Sequence, residues 1–331
     1  MQAIWVCGAG LILFFSRQAM ESVQEVAQTF VVSVLPALFP MMVLGGLCNP
    51  EKPGTGNRSF LVLFGFCAGS PASARQAALL YARRPMARRQ FMPLLCMCGV
   101  MSPMFFVGSL GGRLGQQAGW LLLAAHWLSA LATGMLCIGF YRCKAEDELL
   151  PAWERPVPPP AASSGTGLLT ALPTAVTTAA QALLSVLGAM MAFGIVAAVL
   201  RGIAERLFPA WTAAHPDLLA FLWALLEIGG GTFSLLEHAP PLWTICALCS
   251  FGGLSIWLQN LLFVGKMTNP MELLLWRMLH GVLGGICCYL LQKLCPVAVP
   301  TAAQAAGAVP GSLLPILLLV TLAFPNRRRA S

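Results

Sequence analysis

The stretch GFCAGSPASARQAALLYARR, residues 65–84, begins as an apolar segment, breaks at Gly69-Ser70-Pro71 and ends in two arginines. A broken helix at membrane depth is tolerated only where protein or a water-filled cavity satisfies the freed backbone groups. We therefore interpret the break as the tip of a re-entrant hairpin, not as a defective membrane span. The closing arginines are expected to hold both arms at the cytoplasmic surface.

The composition places this hairpin in a membrane protein. Of the 331 residues, 58% are hydrophobic and 10% are charged, whereas soluble domains average about 25% charged residues. The mean hydropathy is +0.76. These values predict an all-α polytopic membrane protein, with lipids as partners. The net charge of +8 arises in short loops that act as topology signals, so we expect no nucleic-acid partner.

Ten apolar segments follow one another along the chain. They fall at 3–16, 29–48, 59–81, 91–110, 118–140, 178–200, 218–236, 242–263, 272–294 and 309–324. The first has no basic region before it and no small-residue cleavage site after it, which favours a membrane helix over a cleaved signal peptide. Most of the cysteines lie inside these segments, where a thiol behaves as a small hydrophobe. We expect no metal site and no cofactor.

A polar segment rich in Pro, Ser and Gly divides the chain into two similar halves. Ser102 and His126 in the first half recur as Ser255 and His280 in the second at nearly the same offset, which suggests an internal repeat. The predicted organisation is a first membrane helix with a polar interfacial segment (1–28), a first repeat (29–141), a cytoplasmic linker (142–170), a second repeat (171–295), and a C-terminal helix with a basic tail (296–331).

The number of spans decides how the two repeats are oriented. If the first interrupted segment of each repeat is a re-entrant hairpin, three spans remain, and the second repeat is inverted relative to the first. The arginines around the first hairpin and in the tail then lie on the cytoplasmic side, as expected. Parallel repeats remain an alternative if every interrupted segment crosses the membrane. The predicted fold class is thus two inverted repeats with re-entrant hairpins and broken helices.

Paired interruptions at matching positions of two repeats are typical of the substrate site of a secondary transporter. The polar side chains at the interruptions are therefore the candidate substrate-binding residues. They are Ser70, Ser73, Arg75, Gln76, Ser102, Glu227, Ser255 and Gln259. We expect no catalytic residue among them, and the sequence leaves open whether H⁺ or Na⁺ couples transport.

Several of these residues have two interpretations. Glu227 is either a coupling or substrate residue, because a carboxylate in the bilayer is costly, or the partner of Arg75 or Arg277, or a residue near the membrane interface. Arg75 either binds a substrate carboxylate with two parallel hydrogen bonds or reaches the cytoplasmic headgroups. Gln259 and Asn260 point to different helix faces, and we favour Gln259, which lies four residues after Ser255. His126 and His280 are either proton relays or hydrogen-bonding links between helices.

An ordered set of motifs resembles a known family. They are LPALFPMMVL (35–44), GFCAGSPASARQAALLY (65–81), SPMFFVGSLG (102–111), LLEIGGG (225–231) and SFGGLSIWLQ (250–259). Together they resemble sporulation integral membrane proteins of the YlbJ type, in the nucleoside-recognition (Gate) domain group. The resemblance implies a fold similar to concentrative nucleoside transporters. It also implies a multi-pass protein of the bacterial cell membrane with a role in spore formation at the outer forespore membrane, and dipicolinate as a transported solute.

One departure from that family affects the functional hypothesis. Residues 98–101 (Cys-Gly-Val-Met) stand where its members tend to be rich in Asn. The leading hypothesis is a secondary transporter of a small, anionic or nucleoside-like solute. The alternative is a membrane scaffold protein of sporulation that has lost transport. An intramembrane serine hydrolase using Ser70 is disfavoured, because no G-x-S-x-G turn surrounds it. The substrate, coupling ion, transport direction and oligomeric state stay open.

Overall fold

A computed structural model describes residues 2–47, 58–83, 87–142 and 168–297, and these residues form helices and turns with no strand among them. Within them, five helical segments are long and apolar enough to cross a membrane: Ser16–Leu47, Gln116–Arg142, Thr170–Leu207, Leu242–Val264 and Pro270–Leu294. The chain is therefore an all-α, multi-pass membrane protein, as predicted. Most of the predicted linker and the predicted C-terminal helix and tail lie outside the described residues.

The N-terminal helices pack on a long helix from the second half. Helix α1 spans Gln2–Phe14, α2 spans Ser16–Thr29, and a π-helical turn at Phe30–Val34 leads directly into α3, Leu35–Leu47. Residues 17–28, predicted as an interfacial helix between two spans, thus continue without interruption to Leu47. The reason is packing: Ser22 and Val26 lie against Gly194 of the long helix α9, Leu168–Leu207, so this face of α2 is covered by protein.

The first half continues with a pair of short helices, an interrupted helix and a long helix. These are α4 (Arg58–Ala68), α5 (Ala72–Arg83), α6 (Arg88–Cys98), a π-helical turn (Met104–Leu110), α7 (Gly111–Leu114) and α8 (Gln116–Arg142). We call α4 and α5 the first pair. Residues 99–103, between α6 and the π-helical turn, are the first interruption.

The second half has the same kinds of elements. They are α9 (Leu168–Leu207), α10 (Pro209–Ala214), α11 (Pro216–Leu226), α12 (Ile228–Leu236), α13 (Leu242–Phe251), α14 (Gly253–Val264), a short 3₁₀ turn (Gly265–Met267) and α15 (Pro270–Leu294). We call α11 and α12 the second pair. Gly252, between α13 and α14, is the second interruption.

The helices break at the four places where the sequence predicts interruptions: at 69–71, at 99–103, at Glu227 and at Gly252. Glycine permits two of these breaks directly. Gly69 has a φ of +75° and Gly252 a φ of +81°, a left-handed backbone that costs glycine little and other residues more. Local sequence therefore explains where these helices end.

Helices α8 and α15 run antiparallel. Tyr141, at the end of α8, hydrogen-bonds Glu272 at the start of α15, and Arg88 at the start of α6 pairs with the same carboxylate. At the other end of α8, Arg113 lies 4.3 Å above the ring of Phe233 in α12. The start of α6 and helix α12 thus lie near opposite ends of α8, whose length is about 40 Å for a helix of this size.

Candidate functional site

The turn of the first pair lies against the first interruption and against α14. The Ser70 backbone N–H donates to the carbonyl of Val100 at 2.5 Å, and its hydroxyl donates to the side-chain oxygen of Asn260. Gly69 packs so closely on Ser102 that a Cβ would collide with it. Three elements distant in sequence are therefore joined at one buried point.

At the turn of the second pair, the polar groups find their hydrogen-bond partners within the pair itself. Glu227 is fully buried, and its carboxylate accepts hydrogen bonds from the N–H groups of Gly229 at 2.9 Å and Gly230 at 2.7 Å. These are the free donors of the first turn of α12, where a negative charge is also favoured by the helix dipole. No ion pair with Arg75 or Arg277 is found among the described contacts of Glu227, so its observed role is that of a helix cap.

Gln76 and Arg75 stand side by side on α5 but have different surroundings. The Gln76 amide donates to the Gly45 carbonyl of α3 and so fixes the first pair to the N-terminal helices. Arg75 is half-buried, and its guanidinium has no hydrogen-bond or ion-pair partner in the described part of the chain. A half-buried cation of this kind is available to an anionic group.

The predicted serines and glutamine are all buried. The hydroxyls of Ser73 and Ser255 have no hydrogen-bond partner among the described residues, and that of Ser102 accepts only a long bond of 3.4 Å from the Phe105 N–H. Gln259 is 3% exposed. The neighbouring Asn260, which the sequence interpretation did not favour, is the residue that contacts Ser70.

The two histidines link helices at the centre of the fold. The His126 Nε2 accepts from the Met101 N–H at 2.8 Å, so its Nδ1 carries the proton and donates to the Ser250 hydroxyl at 2.8 Å. His280 Nε2 lies 3.3 Å from the His126 carbonyl, and the two rings stack with centroids 4.9 Å apart. These contacts match the interpretation of both histidines as links between helices.

Arg277 of α15 is the buried polar residue that the sequence interpretation considered only as a partner for Glu227. Its Nε donates to the Phe251 carbonyl at 2.9 Å, and its Nη1 donates to the Gly99 carbonyl. The side chain is 5% exposed. The signal that could have found it is an arginine inside an apolar segment, since such residues are costly and have a specific partner.

A cavity of about 1700 Å³ lies beside the second pair, bounded also by α2, α9, α13 and α15. Charged residues of both signs are among those that line it: Glu25, Arg113, Arg201, Glu205 and Glu237. It reaches inward to Gly230 at the start of α12 and to Phe251 and Leu254, which flank the second interruption. None of the eight predicted site residues is among the described residues that line it.

The described residues contain no group of three or more His, Cys, Asp or Glu side chains that could hold a metal ion. Cys246 and Cys249, spaced as C-x-x-C, are buried free thiols. This part of the chain therefore offers no metal-binding cluster.

No family model, no curated protein and no solved structure matches this sequence. The resemblance to YlbJ-type proteins stays a prediction that rests on the five motifs.

Proposed function

We propose that the protein is a secondary membrane transporter of a small, anionic or nucleoside-like solute. The solute would enter the cavity beside the second pair and pass the second interruption. The observation that carries this proposal is the cavity itself, which is lined by charged residues and borders the broken helix α13–α14. A cavity beside a broken helix is typical of transporter binding sites.

We propose further that the chain consists of two inverted repeats, each with a re-entrant pair. The order of pair, interrupted helix and long helix recurs in both halves, and the antiparallel course of α8 and α15 supports inversion. Neighbouring thiols give additional support: Cys96 lies beside Cys137 between α6 and α8, and Cys246 lies beside Cys288 between α13 and α15.

The eight predicted residues would form the binding site in a conformation in which the pairs have separated. Ser73 and Ser255 support this idea, because a buried hydroxyl without a partner costs about 1–3 kcal/mol. A solute between the pairs would supply the missing hydrogen bonds. Arg75, half-buried and unpaired among the described residues, suits a carboxylate. On the family resemblance, the solute would be a dicarboxylate such as dipicolinate, in the outer forespore membrane.

A second candidate is a membrane scaffold protein without transport, and one observation favours it. All eight predicted residues lie off the cavity, and the turn of the first pair is tied to its neighbours by hydrogen bonds. A protein whose central polar groups never meet a solute would keep this packing in every state. The two candidates differ in whether any solute crosses the membrane.

The deciding experiment measures uptake into proteoliposomes for a panel of dipicolinate, other dicarboxylates and nucleosides. Ser234 lines the cavity, so the variant Ser234→Trp places an indole inside it. Ser185 is exposed on α9, away from the cavity, and bonds only the Gln181 carbonyl, so Ser185→Trp is the matched control. We expect uptake by the wild type and by Ser185→Trp and a loss in Ser234→Trp.

Two results would overturn the proposal. One is uptake that Ser234→Trp leaves unchanged. The other is a folded wild-type protein that moves no member of the panel, which would favour the scaffold. Folding of each variant is established beforehand by its thermal unfolding in detergent.

A further inference from the structure

The guanidinium of Arg277 connects the ends of two helices that are broken inside the fold. Helix α6 ends at Cys98 with Gly99 as its C-cap, and α13 ends at Phe251 with Gly252 as its C-cap. Arg277 donates to the carbonyls of Gly99 and Phe251. One side chain from α15 therefore serves the C-terminal ends of both interrupted helices.

The charges of these groups balance. A helix C-terminus carries roughly half a negative charge from its aligned peptide dipoles. Two such ends together amount to about one negative charge, and one guanidinium carries one positive charge. Arg277 is only 5% exposed, so its guanidinium is largely withdrawn from water where it meets these carbonyls. In a membrane interior, freed backbone carbonyls require a hydrogen-bond donor, and this donor also brings a matching charge.

In transporters with broken helices, a dissolved cation can occupy the position beside such helix C-termini. The carbonyls of unwound backbone and the C-terminal ends of half-helices are the groups that coordinate Na⁺ there. In this chain the Gly99 and Phe251 carbonyls, one from each interruption, already accept hydrogen bonds from Arg277. We infer that Arg277 is a built-in cation that replaces a dissolved metal cation at the two helix interruptions.

The backbone at the second interruption is shaped around this side chain. A Cβ on Gly252 would collide with the Arg277 guanidinium, and Gly252 has a φ of +81°, which favours glycine for conformational reasons as well. On the other side, a Cβ on Gly99 would lie 3.5 Å from Nη1, an ordinary contact distance, and would instead collide with the Leu95 carbonyl oxygen at 2.7 Å. Glycine at 252 thus leaves space for the arginine.

The test is chemical rescue of Arg277→Ala, followed by thermal unfolding of the full chain in detergent. The variant loses two charge-assisted hydrogen bonds, so we expect its Tm to fall by about 10 °C. Guanidinium chloride at low millimolar concentration is expected to restore much of this loss, and tetramethylammonium chloride at the same concentration is not. Arg17→Ala is the matched control, because Arg17 is exposed and pairs with Glu21 on its own helix.

The wild-type protein provides a second measurement that needs no folded variant. If Arg277 fills the cation position, replacing NaCl by choline chloride leaves the wild-type Tm unchanged. Specific stabilisation of the wild type by Na⁺ would overturn the inference. The inference would also be overturned if Arg277→Ala were as stable as Arg17→Ala, or if guanidinium and tetramethylammonium rescued Arg277→Ala equally. Because the readout is stability, a failed uptake experiment would not affect this result.

Discussion

The two helix pairs are anchored in different ways. The first pair is held by neighbours: Ser70 bonds Val100 and Asn260, and Gln76 bonds Gly45. In the second pair the polar groups at the turn find their partners within the pair, since the carboxylate of Glu227 caps the helix that follows it. In addition, the second pair borders the cavity of about 1700 Å³.

This difference indicates which pair can move. To displace the first pair, buried hydrogen bonds to three other elements must break. The hydrogen bonds at the turn of the second pair are internal, so they would stay intact if the pair moved. The cavity provides space for such a movement. We therefore assign the gating movement of the proposed transport cycle to the second pair and a fixed supporting role to the first.

The largest effect is expected from Glu227→Ala, which removes the internal anchor of the second pair. Two hydrogen bonds to a charged acceptor are lost, at a cost of about 3 kcal/mol in the free energy of unfolding. Glu227→Gln keeps one acceptor oxygen and is expected to cost about half as much, yet to abolish uptake if the charge serves transport. Chemical unfolding in detergent and proteoliposome uptake measure the two effects. A Glu227→Ala protein as stable as the wild type would contradict the capping role.

A matched pair of glycine substitutions compares the packing of the two pairs. In Gly65→Ala, the new Cβ would lie 2.7 Å from the Cys98 backbone, so α4 must move away from α6 at a cost of about 1–3 kcal/mol. In Gly230→Ala, the closest atom is the Glu227 carboxylate at 3.3 Å, and the alanine favours the helix by up to about 1 kcal/mol. Thermal unfolding of both variants is the measurement. Equal destabilisation would remove the proposed contrast.

The smallest effect is expected from the hydroxyl that ties the turn of the first pair. A double-mutant cycle of Ser70→Ala and Asn260→Ala is expected to give a coupling energy of about 1 kcal/mol. Ser73→Ala is the control, because the Ser73 hydroxyl has no partner among the described residues and its removal is expected to be neutral or stabilising. A coupling energy near zero would mean that the Ser70–Asn260 bond does not hold the pair.

The helix ends were predictable from sequence because local chemistry determines them. Gly69 and Gly252 adopt the left-handed backbone that ends a helix at little cost to glycine, and Pro71 has no N–H to donate to a preceding turn. Helix length and hydropathy likewise predicted a multi-pass membrane protein. These signals lie within a few residues of the feature that they predict.

The partners of the polar residues were not predictable in the same way. Arg277 contacts Gly99, and Ser70 contacts Asn260, across 178 and 190 residues. Which face of α14 meets the first pair depends on how both dock, so the sequence could not decide between Gln259 and Asn260. The cavity was not predictable for the same reason. Its walls come from α2, α9, α12 and α15, and they form only when these helices pack together.

Hydrogen–deuterium exchange in lipid nanodiscs tests most directly which pair moves. The comparison is between backbone amides of residues 228–236 in α12 and residues 72–81 in α5, both in the wild-type protein. If the second pair opens beside the cavity, its amides exchange many times faster than those of the first pair. Equal exchange in both helices, or faster exchange in α5, would contradict the assignment of the gate to the second pair.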